Sequence, residues 1–499
     1  MRQESRTWIL AATILGSSMA FIDGSVVNIA LPVLQKSLSA TLTDAQWVVD
    51  AYALVLASFL LAGGALGDHL GQTRVFNAGV TIFAAASIWC GAASNAPQLI
   101  AARTVQGLGA AMFVPGSLAL ITETFPANER GKAIGTWSAM TSLSTIAGPI
   151  LGGWLIQAIS WRAIFFINIP IAAATLLVLA YAKQSASREG NARPIDWTGT
   201  LLITAALAAL TYALIEAPAH RNRIGVSDYG AVAVSLAALV VFIIHERRVA
   251  NPIVPPAMFR SRSFTAANVL TLLLYTALSS IMFLLPYNLI QLRGYSPFQA
   301  GAAFLPFVLT MSLLSRWSGA LADRIGPRVP LIVGPLVTTV GCVLLALPNL
   351  GGSYWTALFP GILVVAIGVA IMVAPLTTTV MTSIDDEREA GTASGINNAV
   401  ARVAGLLAIA LFGGISIIVF GRDLDRRLAG ETPAVRKVMA EQTLRLADAQ
   451  PPADADPQTR QRIQSAIDDS FLHAFRLNML VAAALAAGSA GAALAIRRR

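Results

Sequence analysis

The sequence predicts an all-α polytopic membrane protein: fourteen transmembrane helices, as two six-helix halves plus an inserted two-helix hairpin. Three observations carry this reading. The 499 residues are 56% hydrophobic and only 12% charged, with a mean hydropathy of +0.66, more apolar surface than a soluble core of this size needs. Runs of about 20 apolar residues, each long enough to cross a ~30 Å hydrocarbon layer, recur along the chain. Finally, Gly64-Ala65-Leu66-Gly67-Asp68-His69-Leu70-Gly71 returns as Gly319-Ala320-Leu321-Ala322-Asp323-Arg324-Ile325-Gly326, 319 − 64 = 255 residues later.

The runs lie near residues 8 to 31, 47 to 66, 75 to 94, 98 to 121, 133 to 157, 162 to 182, 197 to 216, 226 to 244, 264 to 290, 298 to 320, 329 to 348, 354 to 380, 392 to 419 and 472 to 496. The first begins like a signal peptide, but it continues past Asp23 to Leu31 and so reads as an uncleaved helix. The fifth contains MTSLSTIAGPILGGWL, in which Gly148, Pro149, Gly152 and Gly153 interrupt an apolar helix. Such breaks are accepted where neighbouring helices re-satisfy the backbone, and a glycine face lets two helices approach closely. The repeated loop follows the second and the tenth spans. If the seventh and eighth form an inserted hairpin, each copy follows the second helix of a six-helix half, the repeated architecture of secondary transporters. The expected divisions are an N-terminal half at 1–185, the hairpin and a cytoplasmic linker at 186–262, and a C-terminal half at 263–499 with a long outer segment at 421–471. Within that segment, 434–447 and 459–472 pattern as surface helices around a Pro-rich break at 451–457.

Charge sets the expected orientation. With the N-terminus inside, the cytoplasmic segments hold 18 Lys and Arg, among them Lys183 and Arg497 to Arg499, and the short outer loops hold 5. The positive-inside rule then places both termini in the cytoplasm. The net charge of +9 does not indicate nucleic acid, because the cations lie between apolar spans. Cys90 and Cys342 fall inside spans, so no disulfide or metal site is implied. No GxxxxGK[ST] loop, metal-spaced cluster or nucleophile–base pair appears, which disfavours ATP drive and enzymatic chemistry, and no cofactor is expected.

Several stretches together resemble the major facilitator superfamily, specifically its fourteen-span drug:proton antiporter branch. They are Phe21 to Pro32, Gly64 to Arg74, Arg103-Thr104-Val105-Gln106-Gly107, Ala147 to Gly153, Trp161-Arg162 through Asn168 and Pro170, Tyr295-Ser296-Pro297 with Ala300-Gly301, and Gly391 to Arg402. The resemblance implies a proton-coupled exporter of amphiphilic, lipophilic or cationic drugs working by alternating access; a dedicated exporter of one endogenous metabolite, lipid precursor or self-made antibiotic stays open. It implies action as a monomer on a small molecule and protons in the bilayer of a bacterial inner membrane. In a double-membrane bacterium it admits a periplasmic adaptor and an outer-membrane channel.

Depth arithmetic brings two intramembrane charges together. Asp23 is about 15 residues into a helix entering from the cytoplasm, ~22 Å deep, and Arg103 is about five residues into one entering from outside. The depths coincide, so Asp23 and Arg103 are expected to share an outer-half cavity with Gln106 one turn from Arg103. A proton-carrying carboxylate and a purely structural clamp both fit Asp23. Asp50 fits either an extension of that site or a solvated interfacial position. Trp137, Phe283, Tyr287, Asn288, Phe304, Phe307 and Met372, with Gln106, are candidates for a substrate pocket. Gly148, Pro149, Gly152 and Gly153 are expected at the contact between halves. Gly64, Asp68, Gly71 and Arg74 in the first loop, and Gly319, Asp323, Arg324, Gly326 and Arg328 in the second, form candidate cytoplasmic gates, their carboxylates capping a facing helix and pairing with Arg. His69 departs from the basic residue usual there; it is either solvated or a pH-sensitive element of the latch. Arg316 is expected to snorkel, and Arg402, mid-span, needs a partner that the sequence does not name.

Overall fold

The structure is a computed structural model, and it describes residues 3–182, 195–220, 226–347, 352–384 and 390–496. Among these, fourteen helical stretches are long and apolar enough to cross a membrane. The first half comprises α1 (Gln3–Ser37), α2 (Leu42–Leu70), α3 (Gln72–Ala92), α4 (Ala96–Thr124), α5 (Ala127–Ala158) and a sixth span broken into α6 (Ala163–Phe166) and α7 (Asn168–Tyr181). The hairpin is α8 (Trp197–Ala219) and α9 (Val226–Glu246). The second half comprises α10 (Arg262–Tyr287), α11 (Pro297–Ala302) running on into α12 (Leu305–Ile325), α13 (Arg328–Ala346), α14 (Tyr354–Ala357) with α15 (Phe359–Thr382), α16 (Ala390–Arg427), α17 (Pro433–Glu441) and α18 (Pro457–Ala493). An even number of crossings puts both termini on one side, called here the terminal face.

Local chemistry sets the tight connections. Thr41 accepts from the Asp44 amide at 3.1 Å while Asp44 accepts from the Thr41 amide at 2.8 Å, a reciprocal cap that starts α2 after a link of only four residues from α1. Ser296 and Gln299 repeat the device at α11. Gly71 (φ +93°) and Gly326 (φ +81°) turn the chain sharply at the two copies of the repeated loop, so the duplication extends to backbone conformation.

Two differences from the sequence pattern arise at the opposite face. α16 and α18, 38 and 37 residues long, are each ~55 Å and outrun the hydrocarbon layer. The surface helix expected at 459–472 is the first part of α18, because Ile463, Ile467 and Phe471 bury against the core and remove any reason to break. The one expected at 434–447 is shorter: α17 gives way to a 3-10 turn at Thr443–Asp448, which buries Leu446 at φ +52°. Lys183 and Arg497 to Arg499 lie outside the described residues.

The hairpin is seated on one seam between the halves. Helix α8 packs on both α2 and α16, and the Trp47 indole donates to Glu216 at 2.9 Å. Helix α9 leans mainly on α8 and turns Val234, Leu236 and Val240 outward.

Candidate functional site: a buried charge cluster and a glycine contact between halves

Asp23 and Arg103 meet directly inside the first half, and both are fully buried. Arg103 Nη1 also donates to Gln106 Oε1 at 2.7 Å, and its Nε donates to the Val48 carbonyl at 3.0 Å. Gln106 Nε2 donates to Asp23 Oδ1 at 3.0 Å and to Ser87 Oγ at 2.9 Å, while Asn168 Nδ2 reaches the same two acceptors at 3.3 and 3.2 Å. Three donors thus converge on one carboxylate from α4 and α7. The guanidinium lies 4.2 Å from the Tyr52 ring centroid, so α2 supplies the face that desolvates it.

The expected meeting of Asp23 and Arg103 is present in the structure, but not inside an open cavity: the cluster is sealed. Gln106, expected to face substrate, is fully buried and committed to Asp23 and Ser87. Asp50 is not a solvated interfacial residue. It is fully buried, and neither carboxylate oxygen has a hydrogen-bond partner. Asn168, Ser87 and Tyr52 were not picked out as site residues; polar atoms inside apolar spans are the signal that would have found them.

Phe283, Tyr287, Asn288, Phe304 and Met372 are buried in the second half's core. Phe283 and Tyr287 pack edge to face at 5.7 Å, and Asn288 Oδ1 accepts from Arg293 at 2.9 Å. Only Trp137 and Phe307 of the aromatic candidates are part-exposed; the Trp137 indole donates to Ser17 at 3.0 Å. Arg402 is part-exposed, and among the described residues no carboxylate lies within ion-pair distance of it. Asn397 on its own helix donates instead to Asn268 and Thr271.

The glycine motif of α5 faces two ways. A Cβ at Gly148 or Gly152 would strike Ser25 or Val26 of α1. One at Gly153 would strike the Pro297 carbonyl and one at Gly301 the Pro149 carbonyl, across the seam between halves. Two stretches noted separately in the sequence, Ala147 to Gly153 and Tyr295 to Gly301, are therefore the two sides of one backbone-to-backbone contact near the opposite face. Towards the terminal face α5 hardly meets α12, and Met140, Leu143, Leu309 and Leu313 are exposed there.

In the first loop Asp68 is exposed and accepts from Gln72 Nε2 at 2.7 Å, within its own turn. Among the described residues no helix N-terminus donates to it and Arg74 is not within ion-pair distance; Arg74, Arg324 and His69 are exposed. Gly64 approaches Pro115 of α4, and Arg328 donates to the Leu494 carbonyl at 2.7 Å. Gly319 and the side chains of Asp323 and Arg316 lie outside what is described.

The family model of the Major Facilitator Superfamily matches residues 13–409. The chain belongs to that superfamily. Among its superfamily relatives, multidrug resistance protein Stp of Mycobacterium tuberculosis is 36% identical over 439 residues, 87% of this chain and 80% of Stp. The tetracenomycin C resistance and export protein of Streptomyces glaucescens is 33% identical over 99% of this chain and 92% of its own. In fold, this superfamily member matches an inward-facing, occupied bacterial homolog of the human lysosomal transporter Spinster with a TM-score of 0.68 at 16% identity, over 100% of both chains. It is thus a multi-pass membrane transporter of small molecules.

Proposed function

We propose that this transporter exports amphiphilic, drug-like compounds in exchange for protons, by alternating access, from the bacterial cytoplasm or inner leaflet. The observation that carries the reading is the Asp23–Arg103 pair, a titratable group buried with its counter-charge inside one half, with the Tyr52 ring over the guanidinium. Breaking that pair exposes a carboxylate able to load a proton on one side and release it on the other, and rocking of the halves supplies the break. Asp50 is the second acid of the cycle. The positive-inside count puts the termini in the cytoplasm, so the glycine contact closes the outer face and the apolar gap between α5 and α12 opens inward. The names of the relatives support export and resistance.

A dedicated exporter is the second reading, favoured because the relative covered almost end to end is named for a single compound. Proteoliposomes under an imposed proton gradient test both. Uptake of a lipophilic dye by wild-type protein, collapsed by a protonophore and absent in Asp23→Asn, is expected; movement indifferent to the gradient would refute proton coupling. Transport of one compound from a broad panel would select the dedicated reading.

A further inference from the structure

A cavity of about 1050 Å³, at the upper limit of small-ligand sites, lies away from the charge cluster. Its walls are the last turns of α8, with Leu214 and Pro218, and the facing stretch of α16, with Leu411, Gly414 and Ile418. From Leu411 to Asp425 it climbs fourteen residues of α16, ~21 Å. Gly414 lets Pro218 approach the helix closely, and Ile418, 41% exposed, continues the wall onto the bilayer-facing surface. Over the top runs α17. Its Met439 is anchored in the core, so the other face, with Pro433, Arg436, Lys437 and Ala440 at helical spacing, turns to the groove.

The rim carries Arg422, Arg436 and Lys437 against Asp425, three cations to one carboxylate, net +2. Elsewhere in the 421–471 segment, Arg427 pairs with Asp423 and Asp469, and Arg462 with Glu431. Among the described residues no ion pair engages any of the three rim cations, all of them exposed. An apolar slot whose wall reaches the outer surface at Ile418 and three cations with no ion pair among the described residues are complementary to one kind of molecule. We infer that this groove binds an anionic membrane lipid from the leaflet opposite the termini, its phosphate on Arg422, Arg436 and Lys437 and an acyl chain between α8 and α16. The site gives the long segment a role, as the headgroup clamp over the hairpin seam.

Native mass spectrometry of the full chain in mild detergent tests this with phosphatidylglycerol, phosphatidylcholine of the same acyl chains, and glycerol phosphate. One tightly held phosphatidylglycerol is expected, weakened on the order of a hundredfold in the triple variant Arg422→Gln/Arg436→Gln/Lys437→Gln. The paired Arg462→Gln, with the same charge change per site at a residue outside the groove's lining, should leave it unchanged. Thermal unfolding separates loss of lipid from loss of fold, and the exposed positions of all four residues predict intact variants. Equal retention of phosphatidylcholine, equal binding of glycerol phosphate, undiminished binding in a folded triple variant, or an equal loss in Arg462→Gln would each overturn the inference.

Discussion

Asp23 and Asp50 are two acids buried in the same half of one transporter, with opposite surroundings. Asp23 meets Arg103, Gln106 and Asn168; Asp50 meets no donor at all. A carboxylate supplied with that many donors is held by its partners, and removing it strands a buried guanidinium. An acid with no donor among the described residues holds nothing in place. Structural weight therefore rests on Asp23, which leaves Asp50 free for the proton role proposed above.

The largest expected effect tests the first member of the comparison. Asp23→Ala should cost about 3–5 kcal/mol of stability, because Arg103 is left buried and unpaired; the double variant with Arg103→Ala should recover part of it. Denaturation of purified protein in detergent reads both, and a single variant as stable as wild type would dissolve the distinction. Next, Gly301→Ala presses a methyl onto the Pro149 carbonyl and should cost about 1–3 kcal/mol, while shifting the halves apart. Spin-label distances across that face would report the shift. Asp50→Asn should move stability by no more than about 1 kcal/mol, since no partner is lost, yet lower substrate-driven proton flux measured with a pH dye. Equal destabilisation in Asp50→Asn and Asp23→Asn would erase the contrast.

The smallest effect lies outside the bilayer, at Asp448. Burial raises its pKa above the ordinary carboxylate value, and Lys36 and Arg445 pull it back only in part. A folded-state pKa above the unfolded one contributes stability at low pH that is lost as pH rises through it. Asp448→Asn should therefore melt slightly higher than wild type at neutral pH and coincide with it at about pH 3.

The membrane fold was legible because its signal is length and hydropathy, and the repeated loop marks the two halves in the sequence itself. The Asp23–Arg103 meeting was legible too, since helix rise fixes depth. What depth does not fix is azimuth. Asp50 and Gln106 have the right height, but which way they point depends on packing between helices distant in sequence, and so do the burial of Tyr287 and Met372. The extra length of α16 and α18 was hidden because a helix leaving the bilayer keeps its geometry while its composition turns polar.

The two seams between the halves are unequal. Along one, α2 and α16 touch from Gln46, which donates to the Ile409 carbonyl at 2.8 Å, to Leu61, beside Gly395, and the hairpin covers them from outside. The other is pinned at the α5–α11 glycine contact and parts towards the termini, with bare apolar side chains on either flank. A molecule already dissolved in the lipid thus finds a wall on one flank and a doorway on the other, and a twofold repeat becomes a one-sided machine.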